Sequence, residues 1–391
     1  MGDVCSRVQG NDGRMELPTL TISAGNGWMR QEDRFSGNIA GKEQKNYTLL
    51  RKGELSYNHG NSKLAKYGTV FSLQTYEEAL VPRVYHSFKV KEGNCDFVEY
   101  YFATKLPDRE LSKLISSGAR MDGLLNIGYD EFMGIQMKFP STLEQRKISL
   151  YFRKLDHLIT LHQRKCDETK ELKKYMLQKM FPKDGEKNPE IRFEGFTDDW
   201  EQRKVLDLLV QPVTDGPHET PRLVENGIPF ISVDAIVDNK IDFSRKRGDV
   251  SEEYDAECCK KYKPQYHDVY VVKSGSTVGK VAIVETTDRF NIWSPLAALR
   301  CEGKTKPYYL FYLLQTRRMQ AQILDKASNG TQPNLSMREL EKFDVLVTDN
   351  AEEQQRIGDY FKSLDHLITL HQRKCEKLKE LKKFMLQNMF V

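Results

Sequence analysis

The sequence has 391 residues, of which 39% are hydrophobic and 30% charged, and its formal net charge is only +4. This length accommodates two domains of ordinary size together with connecting helices. No apolar run reaches about 18 residues, and the N-terminus lacks the apolar core of a secretion signal, so neither a membrane span nor export is expected. We therefore expect a soluble, cytoplasmic protein.

Cysteine usage indicates reduced thiols. The seven cysteines are scattered and form no CxxC pair, unlike the dense spacing of disulfide-stapled domains. Cys258 and Cys259 are adjacent, but no second Cys or His pair stands nearby at the spacing of a zinc site. We expect neither disulfides nor a bound metal.

Residues 1–140 are expected to form a first mixed α/β domain with irregular, polar loops. Its strand signals are short runs rich in β-branched or aromatic residues: 17–22, 69–73, 84–90 and 135–139. Turn-prone stretches separate these runs, and a helical piece is expected at 97–117.

Residues 141–181 are expected to form a long helix. There is no Gly or Pro from 143 to 181, and Leu, Lys, Glu, Gln and Met dominate, which favours a helix bounded by Pro140 and Pro182. At about 1.5 Å per residue it would be on the order of 57 Å long. A helix of this length needs a partner.

The second half repeats this layout. A connector rich in Pro, Gly and charge (182–200) leads into a second mixed domain (201–348) and a second long helix (349–391). Strand-like runs of the second domain lie at 229–233, 268–272, 280–284 and 344–347, and a helical stretch lies at 307–324. KSGSTVGK (273–280) lacks the spacing of a P-loop and is interpreted as a strand-to-strand loop.

The two long helices are copies of one another. Residues 143–181 and 352–390 match at 27 of 39 positions without a gap, and Leu155–Cys166 is identical to Leu364–Cys375. Such a repeat indicates two equivalent halves.

An apolar seam with alternating spacings of four and three predicts a coiled coil. Its members are Ile148, Phe152, Leu155, Ile159, His162 and Cys166, then Ile357, Phe361, Leu364, Ile368, His371, Cys375, Leu378, Leu381 and Met385. The simplest arrangement pairs the copies antiparallel about a pseudo-two-fold axis. The seam histidines and cysteines are interpreted as packing elements rather than metal ligands.

The repeats carry most of the positive charge. They hold +7 between them (ten Lys/Arg and five Asp/Glu, then eight and six), which leaves 4 − 7 = −3 for the remainder. Lys and Arg on a helix usually form its solvated face, and a surface for nucleic acid is the alternative.

No catalytic constellation is present. The sequence has no P-loop, no GxSxG, no HExxH, no Rossmann fingerprint and no motif of an adenine methyltransferase. We expect a protein that binds rather than catalyses.

Three stretches resemble the specificity (S) subunit of type I restriction-modification enzymes. Residues 328–390 resemble the end of one half of that subunit, and GFTDDWEQRKVLDLL (195–209) resembles the entry to a target-recognition domain. The first half follows the same pattern from residue 2 and ends in FPSTLEQRKISLYFRKLDHLITLHQRK. Because no counterpart of the connector RFEGFTDDWEQRK precedes Met1, we expect a truncated or rearranged version of the family's pattern.

The resemblance implies an α+β fold, with two mixed α/β target-recognition domains separated by two long helices in an antiparallel coiled coil. Each domain would read one half of a bipartite double-stranded DNA target. Implied partners are two methylation (M) subunits, which would bind S-adenosylmethionine and flip the adenine, and restriction/motor (R) subunits. This chain itself would bind no cofactor. The alternative is a coiled-coil DNA-binding scaffold or regulator without methyltransferase partners.

Polar and basic loop residues are the candidates for DNA contact, because Asn and Gln suit adenine whereas Arg and Lys suit guanine or phosphate. In the first domain they are Trp28, Arg30, Asn58, His59, Asn61, Ser62, Lys63 and Lys66. In the second they are Arg245, Lys246, Arg247, Lys273, Ser274, Ser276, Thr277, Lys280, Asn329, Thr331 and Gln332. A second apolar stripe on the helices, comprising Leu158, Leu161, Tyr175 and Met180, is expected to dock the partner subunits.

Overall fold

The structure, a computed structural model, describes residues 1–35, 41–60, 62–115, 124–327 and 333–390. The chain divides into two compact units, Met1–Gln163 with Arg373–Val391, and Arg164–Gln372. Both boundaries fall inside the long helices, so each unit contains one mixed domain and part of each helix. The domain limits expected from the sequence lie elsewhere, at the helix ends, and stay predictions. Among the described residues, no helix is long and apolar enough to cross a membrane.

The first half of the chain contains eight strands and five α-helices in its described ranges. In chain order these are β1 (Cys5–Arg7), β2 (Leu20–Ser23), β3 (Gly27–Arg30), α1 (Gln31–Phe35), β4 (Thr48–Arg51), β5 (Leu55–Asn58), β6 (Thr69–Ser72), β7 (Glu78–Val81), β8 (His86–Val90), α2 (Cys95–Ala103), α3 (Asp108–Lys113), α4 (Tyr129–Met133) and α5 (Thr142–Lys179).

The central sheet of the first unit is antiparallel, with the strand order β1-β8-β5-β6. Leu55 and Tyr57 of β5 face one core, where the Tyr57 ring stacks on Phe132 with centroids 4.3 Å apart. Ser56 faces the opposite side, and its hydroxyl forms a hydrogen bond of 2.8 Å with that of Ser87. Because these hydroxyls satisfy one another, β5 is buried on both faces without a lost hydrogen bond.

The second half has the following elements. They are β9 (Glu201–Lys204), β10 (Thr214–Asp215), β11 (Ile228–Ile231), β12 (Ile236–Val237), β13 (Lys240–Ile241), β14 (Gly248–Val250), α6 (Glu252–Lys261), β15 (Val269–Val272), β16 (Val281–Ile283), β17 (Asn291–Ile292), β18 (Leu296–Leu299), α7 (Pro307–Leu313), α8 (Arg317–Lys326), α9 (Met337–Glu341), β19 (Asp344–Val347) and α10 (Ala351–Asn388).

The second unit contains a sheet of the same design, with the antiparallel order β10-β18-β15-β16. In β15, Val269 and Val271 join one core cluster while Tyr270 and Val272 join another, because successive side chains of a strand point to opposite faces. β15 therefore corresponds to β5, and the edge strand β16 corresponds to β6.

Most strand predictions are confirmed, but the one at 135–139 is wrong. Those residues pair with no described strand, and Ile135 is instead buried in the first core, with Met137 and Phe139 packed against it. The stretches expected to be helical at 97–117 and 307–324 each contain two helices. In the second, the hydroxyl of Thr316 accepts a hydrogen bond from Met319 N and caps α8, a short-range signal that the apolar pattern conceals.

The two long helices pair antiparallel within each unit, as the sequence predicts. In the second unit Cys166 Sγ lies 4.0 Å from Ile368 O, and in the first unit Cys375 Sγ lies 3.9 Å from Ile159 O. These contacts are copies of one another under the repeat, so both units use the same antiparallel contact.

One predicted seam position is wrong. Leu381 is 40% exposed, and the next residue, Lys382, turns inward instead and reaches Asp156. The equivalent Leu172 is likewise 44% exposed, with Lys173 turned inward to Asp365. The apolar seam therefore gives way to a lysine at this level of each pair.

A hydroxyl, a carboxylate and an ammonium group join three elements in each unit. In the first unit, Tyr100 of α2 donates to Asp156 Oδ2 at 2.7 Å, and Lys382 Nζ donates to Asp156 Oδ1 at 2.5 Å. Asp156 belongs to α5 and Lys382 to α10, so this triad fastens the domain to both helices.

The second unit carries the same triad. Tyr312 of α7 donates to Asp365 Oδ2 at 2.8 Å, and Lys173 Nζ lies 2.7 Å from Asp365 Oδ1 and 5.1 Å from the centre of the Tyr312 ring. Burial raises the pKa of Tyr312, and the Asp365 charge raises it further. The hydroxyl therefore stays protonated and remains a donor.

Replacing the carboxylate of this triad is expected to destabilise its unit. In Asp365→Ala, the half-buried Lys173 and the buried Tyr312 hydroxyl lose their shared partner, a loss of about 2–3 kcal/mol in the free energy of unfolding. Urea denaturation measures it, with Glu171→Ala as a matched change at an exposed helix position. Equal urea midpoints for Asp365→Ala and Glu171→Ala would contradict the assigned role.

Candidate nucleic-acid interface

A hairpin loop occupies the equivalent position in each unit. Residues 59–68 join β5 to β6, and residues 273–280 join β15 to β16. The expected strand-to-strand role of 273–280 is therefore confirmed. Both loops carry candidates chosen from the sequence, so these candidates lie at one point of a repeated topology.

Backbone hydrogen bonds and two glycines shape loop 273–280. Val272 N donates to Lys280 O, and Gly279 N donates to Val272 O, both at 2.8 Å. Gly275 and Gly279 have φ angles of +95° and +92°, a left-handed conformation that glycine adopts without a steric penalty. The side chain of Gln320 in α8 donates to Gly279 O at 2.9 Å and holds the loop against that helix.

This loop, α8 and α5 border an open basic cleft in the second unit, with a volume of about 670 Å³. Three candidates from the loop line it, namely Ser276, Thr277 and Lys280. The other polar lining side chains are Lys170, Lys173, Lys174, Gln178, Asn239, Gln315, Arg317 and Gln320. All the charged side chains in this lining are cations.

Lys273 and Ser274 do not line the cleft. The Lys273 side chain is about nine-tenths buried, and its ammonium lies 3.2 Å from the fully buried Asp215. Ser274 forms a β-bridge with Asn334. These residues anchor the base of the loop in the structure, and a DNA contact from either stays a prediction.

The basic run 245–247 is divided among different partners. Arg245 Nε lies 3.4 Å from Asp242, and Arg245 lines a neighbouring hollow of about 740 Å³ together with Thr277 and Lys280. Lys246 pairs with Asp249 at 2.6 Å. The Arg247 guanidinium stacks 4.1 Å from the centre of the Trp293 ring. Arg245 is thus the member of this run that the structure brings to the hairpin loop.

In the first unit, the tip of loop 59–68 presents Ser62, Lys63 and Lys66 to solvent. The Ser62 hydroxyl accepts a hydrogen bond from Ala65 N at 3.1 Å, which closes a tight turn. The Lys66 ammonium lies 5.3 Å from the Tyr67 ring. The exposed Leu64 sits beside these cations, 71% accessible.

The other described candidates of the first unit make contacts within the fold. Asn58 donates to Ile22 O at 3.2 Å and accepts from Gly60 N at 3.0 Å, so it braces the loop against β2. His59 is buried, with its ring 4.9 Å from that of His86. Trp28 donates from Nε1 to Ser72 O at 3.1 Å, and Arg30 pairs with Glu32 at 2.9 Å.

Four candidates lie outside the described residues: Asn61, Asn329, Thr331 and Gln332. Among the residues that are described, no group of three or more His, Cys, Asp or Glu side chains is placed to hold a metal ion.

The sequence reasoning missed Lys170, Lys174 and Arg317, which the fold brings to the loop. A signal was present in the helix, because Lys170 and Lys174 are four residues apart and share one face. Their position opposite the hairpin depends on tertiary packing and could not be read from that spacing.

Comparison with known proteins assigns the second half of the chain. Residues 198–380 match the family model described as the type I restriction modification DNA specificity domain. The resemblance found in the sequence is thereby confirmed.

Two relatives from Methanocaldococcus jannaschii carry related names. The MjaX specificity subunit of a type I restriction enzyme is 29% identical over 200 residues, which are 49% of this chain and 46% of the relative. The chain thus matches about half the length of that relative. The MjaVIII specificity subunit is 23% identical over 315 residues, covering 75% of this chain and 70% of that protein.

The fold has a known counterpart. The crystal structure of a type I restriction-modification S subunit from M. genitalium aligns with a TM-score of 0.65 over 100% of this chain and 94% of that one. At 13% sequence identity, this likeness concerns the fold alone. It confirms the α+β fold class expected from the sequence.

The partly buried His86, whose ring lies beside that of His59, is expected to make the first unit sensitive to acid. Burial lowers the pKa of His86, the Arg7 charge lowers it further, and the hydrogen bond to Ile127 O opposes this shift. The unfolded chain therefore takes up the proton first, so stability is complete above about pH 6.5 and falls as pH drops through the folded-state pKa.

Urea midpoints at about pH 7.5 and about pH 5.5 test this expectation. His86→Gln keeps a donor for Ile127 O but cannot titrate, so it should lose less stability on acidification than the unsubstituted protein. An equal loss in both proteins would rule out His86 as the cause.

Proposed function

We propose that this chain is the DNA-recognition subunit of a type I restriction-modification system, with each mixed domain reading one half of a bipartite target. The observation that carries the proposal is the repeated hairpin loop, at equivalent points of two sheets of the same design. The helices are near copies, whereas the two loops differ in sequence. Such a contrast is expected when a repeated pair of helices presents two different DNA-recognition surfaces.

The loop chemistry fits such reading. Exposed Lys63 and Lys66 in the first unit, and Lys280 and Arg245 in the second, supply cations for phosphates or guanine. Ser62, Ser276 and Thr277 supply hydroxyls that bond either backbone or base edges. The chain's part in the reaction is to bind and orient DNA.

The candidate surface for partner subunits is the side of each helix pair that lies away from the domain. In heptad notation with Phe152 and Cys166 at position a, Asp156 and Asp365 take position e, and each domain contacts that side. In an antiparallel pair the g positions of both helices flank the opposite side. Among the described residues, the apolar side chains on the g side of each pair are left largely exposed.

Apolar side chains occupy that open side at positions g and c. In the first unit they are Leu158, Leu161, Leu381 and Phe384, and in the second they are Leu172, Tyr175, Leu367 and Leu370. All are exposed except the half-buried Leu161. Met180, which the sequence placed on this stripe, is instead buried in the second core.

A repeated apolar surface of this kind is suited to two copies of one partner. We assign it to two methylation subunits, which would supply S-adenosylmethionine and the adenine-flipping site, with restriction/motor subunits joining the full complex. The identical block Leu155–Cys166 and Leu364–Cys375 includes exposed residues such as Leu158 and Leu367. Identity at solvent-exposed positions supports docking of the same partner twice.

Methylation is expected to require a partner. Single-molecule methylome sequencing of cells expressing the chain alone should show no new modified adenine, while co-expression with a cognate methylation subunit should produce a bipartite methylated motif. Replacing residues 59–68 with a loop of different sequence should change the bases read in one half-site and leave the other half-site unchanged. Methylation by the chain alone, or DNA binding that never supports methylation by such a subunit, would favour the scaffold alternative.

Charge on the open apolar side is expected to prevent partner docking. The double variant Leu158→Lys and Leu367→Lys removes two apolar contacts, each worth about 1.5–3 kcal/mol when buried, so association should weaken at least tenfold. Co-purification and isothermal titration measure it. The matched control is His157→Lys with His366→Lys, which changes exposed neighbours on another face. Equal binding by both variants would exclude this docking surface.

A further inference from the structure

We propose that the long helices contact the DNA phosphate backbone directly, through exposed cations where each helix meets its domain. The inference rests on the proposed function that this chain binds DNA. In the second unit these cations line the basic cleft of α5, α8 and loop 273–280. Its binding groups are Lys170 and Lys174 of α5 and Arg317 of α8.

These three cations are available to a ligand, unlike Lys173, which is committed to Asp365 and Gln315. Lys280 of the hairpin loop is also exposed, and its Nζ lies 3.5 Å from Ile236 O. Lys170, Lys174 and Arg317 are exposed, and within the described part of the chain no carboxylate forms an ion pair with them. An anion bound in the cleft would therefore meet positive charge that no carboxylate of the described residues neutralises.

The N-terminal end of α8 adds to the positive electrostatic potential in the cleft. Thr316 caps the helix, Arg317 is its first residue, and its first turn contains no acidic residue. Because the N-terminal end of a helix carries partial positive charge, the backbone adds to the attraction for phosphate. Gln320, one turn further on, lines the cleft and braces the hairpin loop.

The geometry favours a chain of phosphates over a single anion. Lys170 and Lys174 are separated by about 6 Å along the helix, and Arg317 approaches from a second helix. A polymer can engage all three cations at once. Ser276 and Thr277 line the same cleft, so a strand held there would present its neighbouring bases to the hairpin loop.

The first unit repeats the same three charges. The repeat places Lys379 and Lys383 where the second unit has Lys170 and Lys174. Lys105 follows the triad tyrosine Tyr100 by five residues, as Arg317 follows Tyr312. All three are exposed. Because the domains have otherwise diverged, the recurrence of these charges points to a shared, sequence-independent contact.

The test is the salt dependence of DNA binding by the full chain, purified with any subunits that co-purify on co-expression. For duplex DNA, log K falls with log salt by about 0.9 per phosphate contact. The variant Lys170→Gln with Lys174→Gln should reduce the slope by about 1.8, as should Lys379→Gln with Lys383→Gln. Sequence preference should not change, because phosphate contacts carry no base information.

A matched control separates this contact from general loss of charge. Lys260→Gln with Lys342→Gln removes two exposed lysines of the second unit that do not line the cleft, and it should leave the slope near that of the unsubstituted protein. Urea midpoints of the Lys170 and Lys174 variant should be unchanged, since both side chains are exposed.

The outcomes distinguish this inference from the proposed function. If the unsubstituted protein shows no binding to duplex DNA, the proposed function fails and takes the inference with it. If it binds but the Lys170 and Lys174 variant keeps the same slope, or loses no more than the control, the inference alone is overturned. A selective loss of slope with unchanged sequence preference supports both.

Discussion

In each unit, a single carboxylate at heptad position e joins the domain to both long helices. Asp156 and Asp365 each accept a tyrosine hydroxyl from the domain and an ammonium group from the opposite helix. The interaction is satisfied only when all three elements are in place, because a missing element leaves a polar group in a poorly hydrated site. The triad therefore specifies how a domain sits on its helix pair.

Because the same triad attaches both domains, the domains can diverge in sequence while the two long helices stay alike. Where the copies differ, several positions touch their own domain: Arg153 contacts Asp96, whereas the equivalent Lys362 lies 4.1 Å from the Tyr308 ring. Gly358 replaces Ser149 where the backbone of α7 comes close, since a Cβ there would lie 3.0 Å from Tyr308 Cβ. Each domain has thus adjusted the helix locally without altering the shared attachment.

The sequence predicts the long helices and their pairing well, whereas it does not predict the partners of individual loop side chains. The reasons are physical. Helix length and antiparallel pairing follow from a periodic seam and an internal repeat, both of which are local or self-similar signals. Leu381 was misassigned because only the partner helix reveals that Lys382 has an aspartate to reach. Lys273 was chosen as a DNA-contact candidate from its residue type alone, and the sequence does not reveal that the fold places Asp215 beside it, a pairing that no local pattern encodes.

The positive charge of the helix repeats shows the same limit of sequence analysis, because the partners of each cation depend on the fold. The repeats carry +7, and the sequence leaves open whether those cations are a solvated face or a surface for nucleic acid. The structure divides them by position. Lys173 and Lys382 are consumed by the triads, whereas Lys170 and Lys174 stay exposed on the side that faces the second hairpin loop. The same stretch of helix therefore contributes charge to internal attachment and, one turn away, to an open basic cleft.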